Sequence, residues 1–116
     1  MTTTTPFAIA ELNDRFRKEG PQSVIPGRKF ATAGISALPI EMQLVIWAKV
    51  GAFDDFTEGN DPYGEHDFGG FEVPGAGRIF WKVDYYADRT MQQGSEAPND
   101  TTRSYRVLTV MRASEY

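Results

Sequence analysis

Apolar and polar positions alternate in the C-terminal half of the chain. In "RIFWKVDYY" every second place is taken by Ile79, Trp81, Val83 and Tyr85, while Arg78, Phe80, Lys82, Asp84 and Tyr86 fill the others. A period of two places successive side chains on opposite faces, so this stretch predicts a strand with one strongly apolar face and one mixed face. "FGGFEV" before it and "SYRVLTVMRA", Ser104 to Ala113, after it predict two more strands, the last rich in β-branched residues. "PGAG" between the first two has the chemistry of a tight turn. "MQQGSEAPNDTT", Met91 to Thr102, is polar throughout and has the composition of a mobile loop.

The N-terminal half follows a helical period instead. Ile9, Leu12 and Phe16 form a stripe, with Glu11, Asp14, Arg15 and Lys18 off it. Thr5 can cap this helix, Pro6 suits its first turn, and Gly20 with Pro21 ends it. "PQSVIPG" is a connector, and "RKFATAGI", Arg28 to Ile35, predicts a short strand. A second helix is predicted from near Pro39. Ile40, Leu44, Trp47 and Gly51 mark one face of it, and Met42, Val45, Ile46 and Val50 widen that face. A helix this apolar is expected to pack against the sheet over much of its circumference. The order helix, strand, helix, an optional extra strand and a three-stranded meander predicts an α+β protein: an antiparallel sheet of three to five strands with two helices packed on one face. At 116 residues and 41% hydrophobic content this is expected to be a single domain, spanning 1–116, with a core of its own.

Composition narrows the setting. The chain has no cysteine, which excludes a disulfide framework, a thiolate nucleophile and a cysteine zinc site. There is no apolar run near membrane-spanning length, and "MTTTTPFAIAELNDRF" has neither a basic leader nor an apolar core, so a cytoplasmic protein without a signal peptide or membrane contact is expected. Charge is unevenly placed. Six of the sixteen acids and none of the twelve lysines and arginines fall between Asp54 and Asp67, so that segment carries -6 and the remainder +2 of a net -4. A patch of one sign acts on partner choice rather than on fold. It repels nucleic acid and favours a basic protein surface or a hard cation.

The segment "DDFTEGNDPYGEHDFGGF" also holds the only histidine, His66. A calcium loop would need oxygen donors at alternate places, and counting from Asp55 the third and fifth places are Thr57 and Gly59. A transition metal could use His66 with two carboxylates, but in an extended chain Glu65 and Asp67 leave the face that His66 occupies. Acid/base chemistry needs a histidine near a carboxylate, or a pair such as Asp61 and Glu65. No nucleophile elbow and no phosphate-binding glycine loop accompanies them. An architectural reading stands beside these: Asn60-Asp61-Pro62 is turn chemistry, and Phe53, Phe56, Tyr63, Phe68 and Phe71 are expected to anchor the loop to the core. In the last strand Arg106 and Arg112 share a face, and with Arg103 they are expected to pair with Asp84 or with the acidic loop. Trp81 and Tyr85 are expected in the core rather than as base-stacking platforms.

Three stretches, "LNDRFR" at Leu12 to Arg17, "DDFTEGNDPYGEHDFG" with "FWKVDYY", and "RVLTVMRASEY" at the end, resemble a family of small bacterial proteins of unknown function. The resemblance implies a cytosolic protein, mainly alphaproteobacterial, in a plasmid or prophage setting, and brings no catalytic residue with it. Small proteins of such settings include inhibitors of host defence, anti-CRISPR proteins among them. The expectation is therefore a protein-interaction module that inhibits a host nucleic-acid-directed defence complex, with no cofactor, no metal and no direct nucleic-acid contact. Its basic partner would meet Asp54, Asp55, Glu58, Asp61, Tyr63, Glu65, His66 and Asp67. A metal-dependent or acid/base enzyme centred on Asp61, Glu65 and His66 is the alternative, and a housekeeping structural module a third.

Overall fold

The computed structural model describes residues 5–20 and 23–116, with side chains from residue 8 onward. Helix α1 runs Thr5–Glu19, strand β1 Gly27–Ala31, the single-turn helix α2 Ala33–Ser36 and helix α3 Ile40–Ala52. Strands β2 (Phe68–Val73), β3 (Gly77–Tyr86) and β4 (Tyr105–Arg112) follow, and a 3-10 turn closes the chain at Ala113–Glu115. The capping roles expected of Thr5, Pro6 and Pro21 lie outside the described side chains.

Strands β2, β3 and β4 form the expected meander. β1 adds to the far side of β4, giving the order β1-β4-β3-β2. The sheet is therefore mostly antiparallel but not wholly so, because β1 runs parallel to β4. A parallel neighbour needs a long crossover, which here is everything between Ala31 and Tyr105. The β2–β3 connection is Val73-Pro74-Gly75-Ala76: the Ala76 amide donates to the Val73 carbonyl at 2.9 Å, and Gly75 takes a φ of 88°. Proline followed by a residue of positive φ matches a type II turn, which only glycine enters without strain.

The register shows why one face is apolar. Trp81 lies opposite Val110, Val83 opposite Leu108 and Tyr85 opposite Arg106. Those side chains share a face, and Ile79, Trp81, Val83, Leu108 and Val110 form one buried cluster with Phe16 of α1, Ile35 of α2, and Ile46 and Val50 of α3. All the helices thus serve the same side of the sheet. On the other side, Phe68, Phe80 and Tyr116 make an aromatic group with ring centroids 5.2 to 5.6 Å apart, Tyr116 meeting both phenylalanines edge-on.

Three local expectations are corrected. The strand predicted over Arg28 to Ile35 ends at Ala31, and the chain turns helical through Ala33–Ser36. Its short helix is held by a residue far along the chain: Glu115 accepts from the Thr32 hydroxyl at 2.7 Å and the Gly34 amide at 2.9 Å. In α3 the buried positions are Ile46 and Val50, whereas Ile40 and Leu44 are 61% and 62% exposed. An all-round apolar helix does not select its own inner face; the sheet did so. No strand forms between α3 and β2, where the chain runs as the loop from Phe53 to Asp67.

Segment Met91 to Thr102 is tied down at several points. Tyr86 bridges to Gly94, the Ser95 amide donates to the Tyr85 carbonyl, and the Ser95 hydroxyl donates to the Arg103 carbonyl. Its Pro98 carbonyl accepts from the Arg106 guanidinium. A buried arginine needs acceptors, and this polar loop supplies one of them.

Candidate functional site: an acidic loop tethered to the first helix

The loop Phe53–Asp67 holds itself together by turn chemistry. Asn60 accepts the Thr57 amide at 2.8 Å and donates to the Asp55 carbonyl at 2.9 Å. The Asp61 amide donates to the Thr57 carbonyl at 2.7 Å. The Asp61 carboxylate then receives the His66 amide at 3.2 and 3.3 Å, closing the second half of the loop. Phe53 and Phe56 meet edge-on at 5.1 Å, and both pack edge-on against Trp81. Phe71 also packs on the core cluster. Tyr63, expected to anchor the loop, is instead 79% exposed.

His66 is held on several sides. Its Nδ1 lies 2.9 Å from Asp14 Oδ1 on α1, its Nε2 is 3.7 Å from Asp61 Oδ2, and its ring stacks flat on Phe56 at 3.8 Å. Its φ of 56° is unusual for a residue other than glycine. Neither Glu65 nor Asp67 reaches the imidazole, as expected, although the backbone at His66 is left-handed rather than extended; the carboxylates that do reach it are Asp14 and Asp61. Asp14 also receives Arg17 Nη2 at 2.8 Å. Arg17 is buried, donates to the Val50 and Phe53 carbonyls at 2.6 and 3.1 Å, and lies with its guanidinium carbon 4.6 Å from the Trp81 ring centre. One arginine thus joins α1, the end of α3 and the loop.

A second chain of hydrogen bonds runs deeper. Arg106 Nε donates to Asn13 Oδ1 at 2.6 Å. Asn13 Nδ2 donates to the Tyr85 hydroxyl at 2.7 Å and to the Glu65 carbonyl at 3.0 Å. The Tyr85 hydroxyl donates to the Glu65 carboxylate at 3.1 Å. Asn13 and Arg106 are both 0% exposed. Burial pulls the Arg17 and Arg106 guanidinium groups below their ordinary range and pushes the Tyr85 phenol well above its own. The expected pairing of Arg106 and Arg112 is therefore corrected. Arg106 bonds to Asn13, to the Ser104 hydroxyl and to the Pro98 carbonyl, and Arg112 donates to the Ala76 carbonyl at 3.0 Å. Asp84 pairs with its neighbour on the same face, Lys82, at 3.1 Å.

The eight candidate residues separate into two groups. Asp61 is buried, and Glu65, His66 and Asp67 are half-buried and turned toward α1 and β3. Asp54, Asp55, Glu58 and Tyr63 are exposed, and none of these acids forms an ion pair among the described residues. No three histidine, aspartate or glutamate side chains among the described residues are grouped to hold a metal ion. Asn13, Asp14, Arg17, Tyr85 and Arg106 were missed as site residues. A signal did exist for Asn13 and Arg17: they are one helical turn apart and flank the apolar stripe of Ile9, Leu12 and Phe16.

Asp67 is the one loop acid placed against its own chemistry. Burial, then the charges of Glu65, Asp61 and Asp84, raise its pKa. A carboxyl whose folded pKa lies above its unfolded value favours folding fully only below the unfolded pKa, and that contribution is lost as pH rises through the folded value. Asp67→Asn is therefore expected to raise Tm by a few degrees at neutral pH. The gain should vanish as pH falls below the ordinary aspartate range, about 4. Thermal melts across that range check it; an equal gain at every pH would point to a cause other than this ionisation.

The geometry defines a small α+β domain that carries an acidic loop locked by buried polar bonds onto its first helix. The chain belongs to the DUF3768 family, proteins of unknown function, whose model matches residues 31–115. No curated protein and no solved structure matches it. The matched residues include the loop and all of β2, β3 and β4, whereas Asn13, Asp14 and Arg17, which hold the loop, precede them. No helix among the described residues is long and apolar enough to cross a membrane.

Proposed function

We propose that the protein is an interaction module that presents Asp54, Asp55, Glu58 and Tyr63 to a basic partner surface. The observation that carries this reading is the division of labour within the loop. Its inner residues, Asp61, Glu65 and His66, are taken up in fastening it, and its outer acids are left unpaired on a preorganised backbone. A rigid loop loses little freedom on binding, and Tyr63 adds the kind of aromatic contact that interfaces concentrate. Basic surfaces are characteristic of proteins that handle nucleic acid, because those surfaces meet phosphates. The finer proposal is that the partner is a nucleic-acid-directed defence complex of a bacterial host, inhibited in the anti-CRISPR manner by a protein encoded on a mobile element and working in the cytoplasm.

Replacing Asp54, Asp55 and Glu58 together with lysine is expected to abolish partner capture in a pull-down from host lysate. Each single reversal should weaken it, and added salt should weaken the wild-type complex. The stability of the triple variant should stay within about 1.5 kcal/mol of wild type, about 0.5 kcal/mol for each exposed position. Unchanged capture by a folded triple variant would sink the reading.

A further inference from the structure

A cleft of about 760 Å³ opens where the C-terminal half of α1, the edge strand β1 and the middle of α3 meet. None of the acidic-loop residues lines it. Phe16, Ile25 and Trp47 give it apolar walls, Lys18 and Lys29 give it positive charge, and none of the described residues that line it is acidic. In a protein with four more acids than bases, this is a local reversal of sign.

Lys29 is the unusual member. It lies opposite Leu108 in the β1–β4 register, on the face of the sheet that the helices cover. Its ammonium sits 5.0 Å from the Phe16 ring centre, and the residue as a whole is half-buried. It forms no ion pair among the described residues. The neighbouring acid, Glu19, is held by Arg15 at 3.1 Å and by the Ser23 hydroxyl at 2.9 Å. Burial lowers the Lys29 pKa, and the charge of Glu19 only partly opposes this. Covering Phe16 accounts for the lysine stem, since long cationic side chains lay their methylenes on apolar surface. The ammonium itself rests over the Phe16 ring as a cation-π contact and forms no ion pair among the described residues, which leaves it able to meet an anion in the cleft. Arg17 also lines the cleft, but its Nη1 is taken by the Val50 and Phe53 carbonyls and its Nη2 by Asp14, leaving only the buried Nε without a partner.

The geometry points to a binding site for a small organic anion. An apolar, preferably aromatic, body lies against Phe16, Ile25 and Trp47, and its carboxylate, phosphate or sulfonate meets Lys29, with Lys18 at the rim. The volume falls in the range of cavities that enclose small ligands, roughly 300–1,000 Å³. The combination of apolar walls and a few placed charges is what fixes orientation in such sites. Charge-assisted bonds from the ammonium supply the selectivity for anions.

The test uses the full chain and two probes of similar shape, anilinonaphthalene sulfonate and the uncharged phenylnaphthylamine, followed by fluorescence and by amide NMR shifts. Wild type is expected to bind the sulfonate at one site, with shifts at Phe16, at Gly27 to Phe30 and at Trp47. Lys29→Gln should weaken the sulfonate at least tenfold and leave the neutral probe unchanged, and Trp47→Leu should weaken both. Rising salt should loosen the sulfonate alone, a measurement on wild type that needs no variant to fold. Equal affinity of wild type for the two probes, unaltered sulfonate binding in Lys29→Gln, or shifts confined to other parts of the molecule would overturn the assignment.

Discussion

Asn13→Leu is expected to destabilise the protein by about 2–4 kcal/mol, since an orphaned buried donor or acceptor costs about 1–3 kcal/mol and more when it is charged. The side chain is short but every polar atom of it is engaged. Its oxygen accepts from Arg106, and its amide donates to the Tyr85 hydroxyl and the Glu65 carbonyl. Leucine fills much of the same space and can do none of this. Arg106 would keep its bonds to Ser104 and Pro98 but leave Nε without an acceptor in a site that water does not reach. The Glu65 carbonyl would lose its tie to α1, so the acidic loop should loosen as well as the core. Urea denaturation at neutral pH measures the loss, and amide exchange at Glu65 to Asp67 reports the loop. Removing both partners in Asn13→Leu/Arg106→Met should recover part of the stability, because two apolar groups leave fewer orphans than one. A single-variant loss under about 1 kcal/mol, below the usual range for an orphaned buried group, or strict additivity in the pair, would show that the network is not coupled as described.

Gly27→Ala is the second large effect, expected at about 3 kcal/mol, the upper end for overpacking. Gly27 begins β1 and lies opposite Arg106 in the parallel ladder. A Cβ placed there would overlap the Arg106 carbonyl oxygen and come within 2.6 Å of the Phe16 ring. The reason for glycine is therefore close approach rather than an unusual dihedral. One obstacle is backbone and cannot swing away; the other is a buried aromatic ring between α1 and the sheet. Either β1 parts from β4 or α1 lifts. Calorimetric melts should show a lower Tm, and Phe16→Leu in the Gly27→Ala background should recover part of it by relieving the second clash. If Gly27→Ala melts with wild type, α1 does not press on β1 closely enough for this contact to require glycine.

These two positions also show where local pattern stops being informative. The strand at Ile79 to Tyr85, the turn at Pro74-Gly75, the stripe of Ile9, Leu12 and Phe16, and the strand through Val107 to Val110 could all be read directly, because each is a short-range periodicity or a turn residue with one physical meaning. The same reading centred the inner face of α3 on Ile40, Leu44 and Trp47, whereas Ile46 and Val50 are the buried positions, since an apolar face this broad does not fix its own centre. It gave Gly27 to a connector, because nothing near it in the chain announces that Phe16 will lie across it.

The acidic loop divides in the same way. By itself the sequence determined that the acids between Asp54 and Asp67 are concentrated, that no positive charge interrupts them, and that Asn60-Asp61-Pro62 makes a turn. It also determined an α+β chain whose apolar alternation must be covered by helices. Only the tertiary structure decided which acids turn inward. Asp14 reaches His66 across 52 residues and Asn13 reaches Arg106 across 93, so neither pairing leaves any trace in local spacing. A buried polar group must find a partner wherever the fold brings one, and that requirement is met by topology rather than by periodicity. The parallel placing of β1 beside β4 was decided at the same level, because it depends on a ladder closed only after the rest of the chain has been laid down.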